Sequence, residues 1–88
     1  MKVKNMTGRT GREVANQFII TDNKGNQYFQ SYKSIIAKRK ADGSIILDGN
    51  FWDYSNTTAK YRRDFLNEGI DATRAKIESG EYVLTDLN

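Results

Sequence analysis

Apolar and polar positions along the chain change period twice. From Glu13 they alternate: Val14, Phe18 and Ile20 are expected on one face of a strand and Ile19 on the other, with Asn16 between the first pair. Asp22-Asn23-Lys24-Gly25-Asn26 supplies a turn, and Gln27 to Tyr32 returns with Tyr28, Gln30 and Tyr32 set against Phe29 and Ser31. This is a β-hairpin, in which Gly25 takes the positive φ that the turn needs. Ser34 to Lys40 is read as a further strand, with a short helix as the alternative. Ala41-Asp42-Gly43-Ser44 then turns the chain into Ser44 to Asp48, closing a second hairpin.

After Gly49 the period becomes helical. Ser55 is the expected N-cap of a helix through Asn67, in which Tyr54, Thr58, Tyr61 and Phe65 recur at spacings of four, three and four and so share a face. Gly69 is expected to stop it. Asp71 would cap a second helix over Ala72 to Ser79, with Ile70 stapled on Ala75 and Gly80 at the C-cap. Glu81 to Thr85 alternates again. The pattern predicts an α+β fold: a small antiparallel sheet of two hairpins plus a C-terminal strand, with two short helices packed on one face. Residues 1–88 read as one domain, and residues 1–12 as a flexible arm or a short edge strand.

Composition narrows the chemistry. The chain has no cysteine and no histidine, which removes disulfides, thiolate metal sites, the commonest general base near neutral pH and every Ser-His or Cys-His relay. Carboxylate chemistry remains, with Asp48, Asp53, Asp64, Glu68 and Asp71 as its candidates. Asp64 and Glu68 stand four apart, a spacing that can share a divalent cation. No fixed-spacing motif accompanies them, so no enzyme activity, metal or cofactor is expected. The longest apolar runs, Phe18 to Ile20 and Ile45 to Leu47, are far short of a membrane span, and the amino-terminal residues carry no signal-like apolar stretch. A cytoplasmic location is therefore expected, with no membrane partner. The modest core of so short a chain makes a homodimer a straightforward way to gain stability.

The net charge of +3 hides a segregation: residues 1 to 40 carry nine Lys/Arg against two Asp/Glu, and residues 41 to 88 carry five against nine. A basic front and an acidic back make a surface dipole if the two halves do not interleave in space.

Phe51-Trp52-Asp53-Tyr54-Ser55, Thr57-Thr58, Lys60-Tyr61, Phe65-Leu66 and Ser79-Gly80-Glu81-Tyr82-Val83-Leu84 through Leu87-Asn88 form a pattern of their own. With Phe29-Gln30-Ser31-Tyr32 and Ile35-Ile36-Ala37, it resembles a family of small uncharacterised bacteriophage and prophage proteins, over roughly Gly11 to Asn88. The resemblance implies a phage origin and a bacterial host cytoplasm. It brings no activity and no catalytic residues, because the family is a domain of unknown function. It favours host takeover, control of phage DNA or the blocking of a host defence.

Two surfaces are candidates. Thr7-Gly8-Arg9 is repeated at once as Thr10-Gly11-Arg12, and glycine N–H groups with forked guanidinium groups suit a phosphate. Lys38, Arg39 and Lys40 would add to a basic surface with Arg9 and Arg12, and Tyr28 and Tyr32 would offer stacking faces to unpaired bases. The second surface is Trp52 with Tyr54, Lys60, Arg62 and Arg63, residue types enriched in protein-interface hot spots. Arg62 and Arg63 are expected to point away from the Tyr61/Phe65 stripe. The bland readings are a mobile loop for Thr7 to Arg12, solvated edge charges for Lys38 to Lys40 and a core position for Trp52. The leading expectation is a non-enzymatic accessory protein that binds and inhibits or redirects a host bacterial protein, as an anti-CRISPR type of anti-defence factor would. Alternatives are a nucleic-acid-binding protein using the basic half, and a sponge for a nucleotide messenger clasped by the Thr-Gly-Arg repeat.

Overall fold

A computed structural model describes residues 1–88. Six strands form one sheet in chain order: β1 (Lys2–Thr7), β2 (Glu13–Thr21), β3 (Gln27–Ser31), β4 (Ser34–Arg39), β5 (Ile45–Asp48) and β6 (Val83–Thr85). Neighbours from β1 to β5 are antiparallel. β6 is parallel to β5, reached through α1 (Asn56–Leu66) and α2 (Ile70–Glu78). The fold is α+β as expected, but the sheet is mixed rather than wholly antiparallel. A helical crossover returns the chain to the same end of the sheet, so the strand it feeds runs parallel to the one it left.

Register defines the two faces. The pairs Lys4–Ile19, Ile19–Phe29, Phe29–Ala37, Ala37–Leu47 and Leu47–Leu84 make one inner row across the sheet. Phe29, Ala37 and Leu47, at its centre, are fully buried. Phe29 stacks on Phe65 of α1 with ring centroids 5.9 Å apart. Tyr61, Phe65 and Leu66 from α1 join the same cluster, with Ile77 of α2 packed on it. The pairing skips Ile36, between Gln30–Ile35 and Phe29–Ala37. This bulge lets Ile36 and Ala37, adjacent in sequence, both be fully buried.

The hairpins lie where the pattern places them, and Ser34–Arg39 is strand, not helix. One alternation differs. Asn16 is left-handed at φ 66°, and its carbonyl accepts from Tyr32 N–H at 2.7 Å. That break moves Val14 to the side of Ile19, both packed on the core, while Phe18 and Ile20 face outward.

Ser55 caps α1 as expected, its Oγ accepting from Thr58 N–H at 3.1 Å. Tyr54 lies outside the helix and is exposed, so it does not extend the apolar face. Asn67 ends the helix in the left-handed conformation, two residues before Gly69. The N-cap of α2 is Gly69 and not Asp71, which falls in the first turn where a carboxylate favours the helix dipole. Ile70 is accordingly the first helical residue, and Ala75 is exposed, so the expected staple between them is not a core contact.

The carboxylate of Asp48 closes the end of the sheet. Fully buried, it accepts from the N–H groups of Asn50, Phe51 and Leu87 and from Asn88 Nδ2. The Asn88 side chain also bonds both the N–H and the C=O of Ile35. It thus takes the hydrogen-bonding place of a strand beyond the end of β5.

Candidate binding surfaces

The residues expected to act together do not all meet. Arg9 and Arg12 lie in the turn between β1 and β2, at the Thr7/Glu13 end of the sheet, whereas Arg39 is level with Lys2, Thr21 and Gln27 at the other end. The two levels are the two ends of six-residue β1, five steps or about 17 Å apart. Arg9 and Arg12 therefore do not converge with Lys38, Arg39 and Lys40. Within the turn, Gly8 N–H donates to Arg12 O at 2.9 Å and Gly11 N–H to Gly8 O at 3.0 Å. Two of the N–H groups expected to hold a phosphate are thus already committed.

Lys38 and Arg39 are consecutive strand residues and point to opposite faces. Arg39 faces inward, its guanidinium 4.4 Å from the Phe65 ring and bonded to Phe65 O and to Gln27 Oε1. It ties β4 to the end of α1. Lys38 faces outward, its ammonium 5.3 Å from the Tyr28 ring. Lys40 is exposed in the following turn. Tyr32 is also exposed, but in the turn after β3 rather than beside Tyr28.

The aromatic start of α1 divides in the same way. Arg62, expected to point away from the helix stripe, is 3% exposed. Four residues beyond Thr58 it falls on the buried side, where Nη1 donates to Trp52 O at 2.6 Å and to Asp53 Oδ1 at 3.1 Å. Its guanidinium stands 5.2 Å from the half-buried Trp52 ring. Trp52 and Arg62 thus brace the loop before α1. Tyr54, Lys60 and Arg63 remain exposed, and Lys60, Arg62 and Arg63 line a hollow of about 270 Å³ with Ile70.

The carboxylate pair at Asp64 and Glu68 is also split. Glu68 accepts from Lys76 Nζ at 2.8 Å, the Tyr82 hydroxyl at 2.6 Å and the Thr73 hydroxyl at 2.7 Å. Burial pushes Glu68 up, but these three donors outweigh it and hold the carboxyl below its ordinary value. Burial, then the bond to Glu68, push the Tyr82 phenol up to about 12. Glu68 is a structural clasp between α2 and Tyr82, the residue before β6. Burial likewise raises Asp48, and the four hydrogen bonds it accepts bring it below the usual range.

What the residue types alone did not display is the outer side of the sheet. Val3, Ile20, Tyr28, Lys38, Ile46 and Val83 are paired one with the next across all six strands. Val3 is 63% exposed, Val83 is 54% exposed, and the four between are half-buried. Phe18 lies beside this row, paired with Gln30. No helix covers this side, because the crossover and its core lie on the inner one.

The class defined by these features is a one-sheet α+β fold with a helix layer on one side and a mostly apolar row on the other. The chain belongs to a family of unknown function, DUF8033, which it matches over residues 1–83. No curated protein and no solved structure matches it. No helix is long and apolar enough to cross a membrane.

Proposed function

We propose that this chain is a non-enzymatic accessory protein of phage type that binds and inhibits or redirects a host bacterial protein in the cytoplasm, docking through the outer side of its sheet. The observation that carries the reading is the row Val3, Ile20, Tyr28, Lys38, Ile46 and Val83, which is apolar at every position but Lys38 and has no helix over it. Contiguous exposed apolar surface of this kind marks interaction sites on soluble domains. Exposed Tyr54, Lys60 and Arg63 form a second, polar contact region at the start of α1. The missing cysteine and histidine, and the structural engagement of Glu68 and Asp48, support binding over catalysis.

Affinity purification of the tagged chain from its bacterial host, with partner stoichiometry measured, tests this. Val3→Asp and Val83→Asp, at exposed positions, are expected to abolish recovery of the partner while leaving the circular dichroism spectrum unchanged. Recovery that is indifferent to both changes overturns the outer face as the docking surface. Size-exclusion chromatography of the pure protein distinguishes a heterologous partner from a second copy of the chain.

Nucleic acid is the second reading, favoured by Lys38 beside Tyr28 on the same outer face. It expects an unpaired oligonucleotide to bind at low salt, to weaken steeply as salt rises, and to be lost with Lys38→Ala or Tyr28→Ala.

A further inference from the structure

The helix layer is narrower than the sheet. α1 packs over β3 and β4, so the inner side of β1 and β2 overhangs it. Between that overhang and the flank of α1 lies a trough of about 510 Å³. Its size is within the range of small-molecule sites, roughly 300 to 1,000 Å³.

The lining is made by strand alternation. Lys2, Lys4 and Met6 share the inner side of β1, while Val3 between the lysines faces out. Met6 and Ile19 supply apolar surface, and Asp64 reaches the trough from α1. The ion pairs of the chain join Arg62 and Arg74 to Asp53, and Lys76 to Glu68. Lys2, Lys4 and Asp64 enter none of them. Two ammonium groups and one carboxylate thus border an apolar surface with their charges unspent on the protein itself. Lys2 and Lys4 are about 7 Å apart along the strand, a spacing at which both reach one phosphate group. Gln27 also lines the trough, and with its Oε1 held by Arg39 at 3.1 Å it keeps its amide N–H₂ as a donor.

The two ammonium groups stand on the β1 wall and the carboxylate on the α1 wall, so a matching ligand carries negative charge toward β1, neighbouring N–H donors toward α1 and a flat face for Met6 and Ile19. The geometry points to this trough as a binding site for a guanine nucleotide, with Lys2 and Lys4 on the phosphate, Met6 and Ile19 against the base and Asp64 on its N–H edge. Guanine presents a ring N–H and an exocyclic N–H₂ side by side, which fit the two oxygens of a carboxylate, whereas adenine offers one exocyclic amine next to an acceptor nitrogen. The phosphate clasp expected from the sequence is Thr7 to Arg12. This site adjoins it only at Thr7 and uses none of Gly8 to Arg12. It also lies on the opposite side of the sheet from the protein-docking row, so either can be disrupted alone.

Isothermal titration calorimetry of the whole chain against GMP, AMP, guanosine and inorganic phosphate tests the site. Saturable one-to-one binding of GMP is expected, at least tenfold tighter than AMP or phosphate. The double substitution Lys2→Ala/Lys4→Ala should weaken GMP at least tenfold, and Asp64→Asn should erase the preference for GMP over AMP. All three positions are exposed, so the fold is retained, and circular dichroism verifies it. Absence of GMP binding at millimolar concentration overturns the proposal. So does phosphate binding as tightly as GMP, which would mark a bare anion site, or GMP binding that ignores the lysine substitutions.

Discussion

Asn16 and Gln17 are consecutive residues of β2 that each break a local rule. Asn16 holds φ 66° within a strand, a conformation that asparagine tolerates and β-branched residues resist. Asn16→Val is expected to lower stability by about 1–2 kcal/mol, and Asn16→Gly to leave it nearly unchanged, as read by urea unfolding. Gln17 is 1% exposed, and neither side-chain amide atom meets a hydrogen-bonding group of the protein. It is paired with Ser31, whose own hydroxyl accepts from Thr58 at 3.1 Å. Gln17→Met keeps the shape and removes the unpaired polar atoms, so a gain of about 1 kcal/mol is expected in the same measurement. The left-handed turn at Asn16 and the inward aim of Gln17 belong together: one residue in the wrong half of φ space shifts the alternation that follows it.

At the scale of elements, the joints are polar and so are sensitive to pH. Asp48 ties β5 to residues 87 and 88, and Glu68 ties α2 to Tyr82, just before β6. Both carboxyls are depressed in the folded state. Their contribution is therefore present above the unfolded values, about 3.9 for Asp and 4.3 for Glu, and is lost as pH falls through the lower folded ones. Urea midpoints measured across this range should fall in acid, and Asp48→Asn should flatten part of that fall at a cost of about 2 kcal/mol at neutral pH. Tyr82 has the opposite sign: its folded value of about 12 lies above the unfolded one, so its share is intact below about pH 10 and is lost on further rise. Tyrosinate absorbance should show one phenol titrating late, and Glu68→Gln should bring it earlier.

These joints also mark where the sequence could be read and where it could not. The two hairpins, the Ser55 cap and the Gly80 stop were legible because each rests on residues within a few positions of one another. Helical periodicity does not reveal the burial of Arg62, because its partners, Trp52 O and Asp53, lie in a loop whose path that periodicity does not specify. Arg39 and Lys38 form one basic run in sequence, but a strand must separate them, and the inward one is consumed by Phe65 and Gln27. The trough was illegible for a related reason. Lys2 and Lys4 gain meaning only from their distance to Asp64, which the sequence places sixty residues away.

On the scale of the whole molecule, chain order and strand order coincide. The basic residues of the first half therefore occupy β1 to β4 and the turns between them, and the acidic excess goes with β5, the helices and β6. α1, from the acidic half, nevertheless packs over β3 and β4 and sets Asp64 in one trough with Lys2 and Lys4, so the halves interleave on the inner side, and an acidic partner should approach from the β1/β2 edge that lies beyond the helices. Association rates that fall with ionic strength, while dissociation rates stay nearly constant, would report this steering. The same coincidence bears on synthesis. Each strand from β2 to β5 finds its neighbour in the segment that has just preceded it, so the sheet can be laid down as the ribosome delivers it. Only the helical crossover must reach back, and until it does, Phe29, Ala37 and Leu47 stand open to solvent. A nascent chain halted before α1 would thus expose apolar surface on both sides of its sheet, and the chaperones that greet such surfaces would see this protein for as long as its second half is unmade.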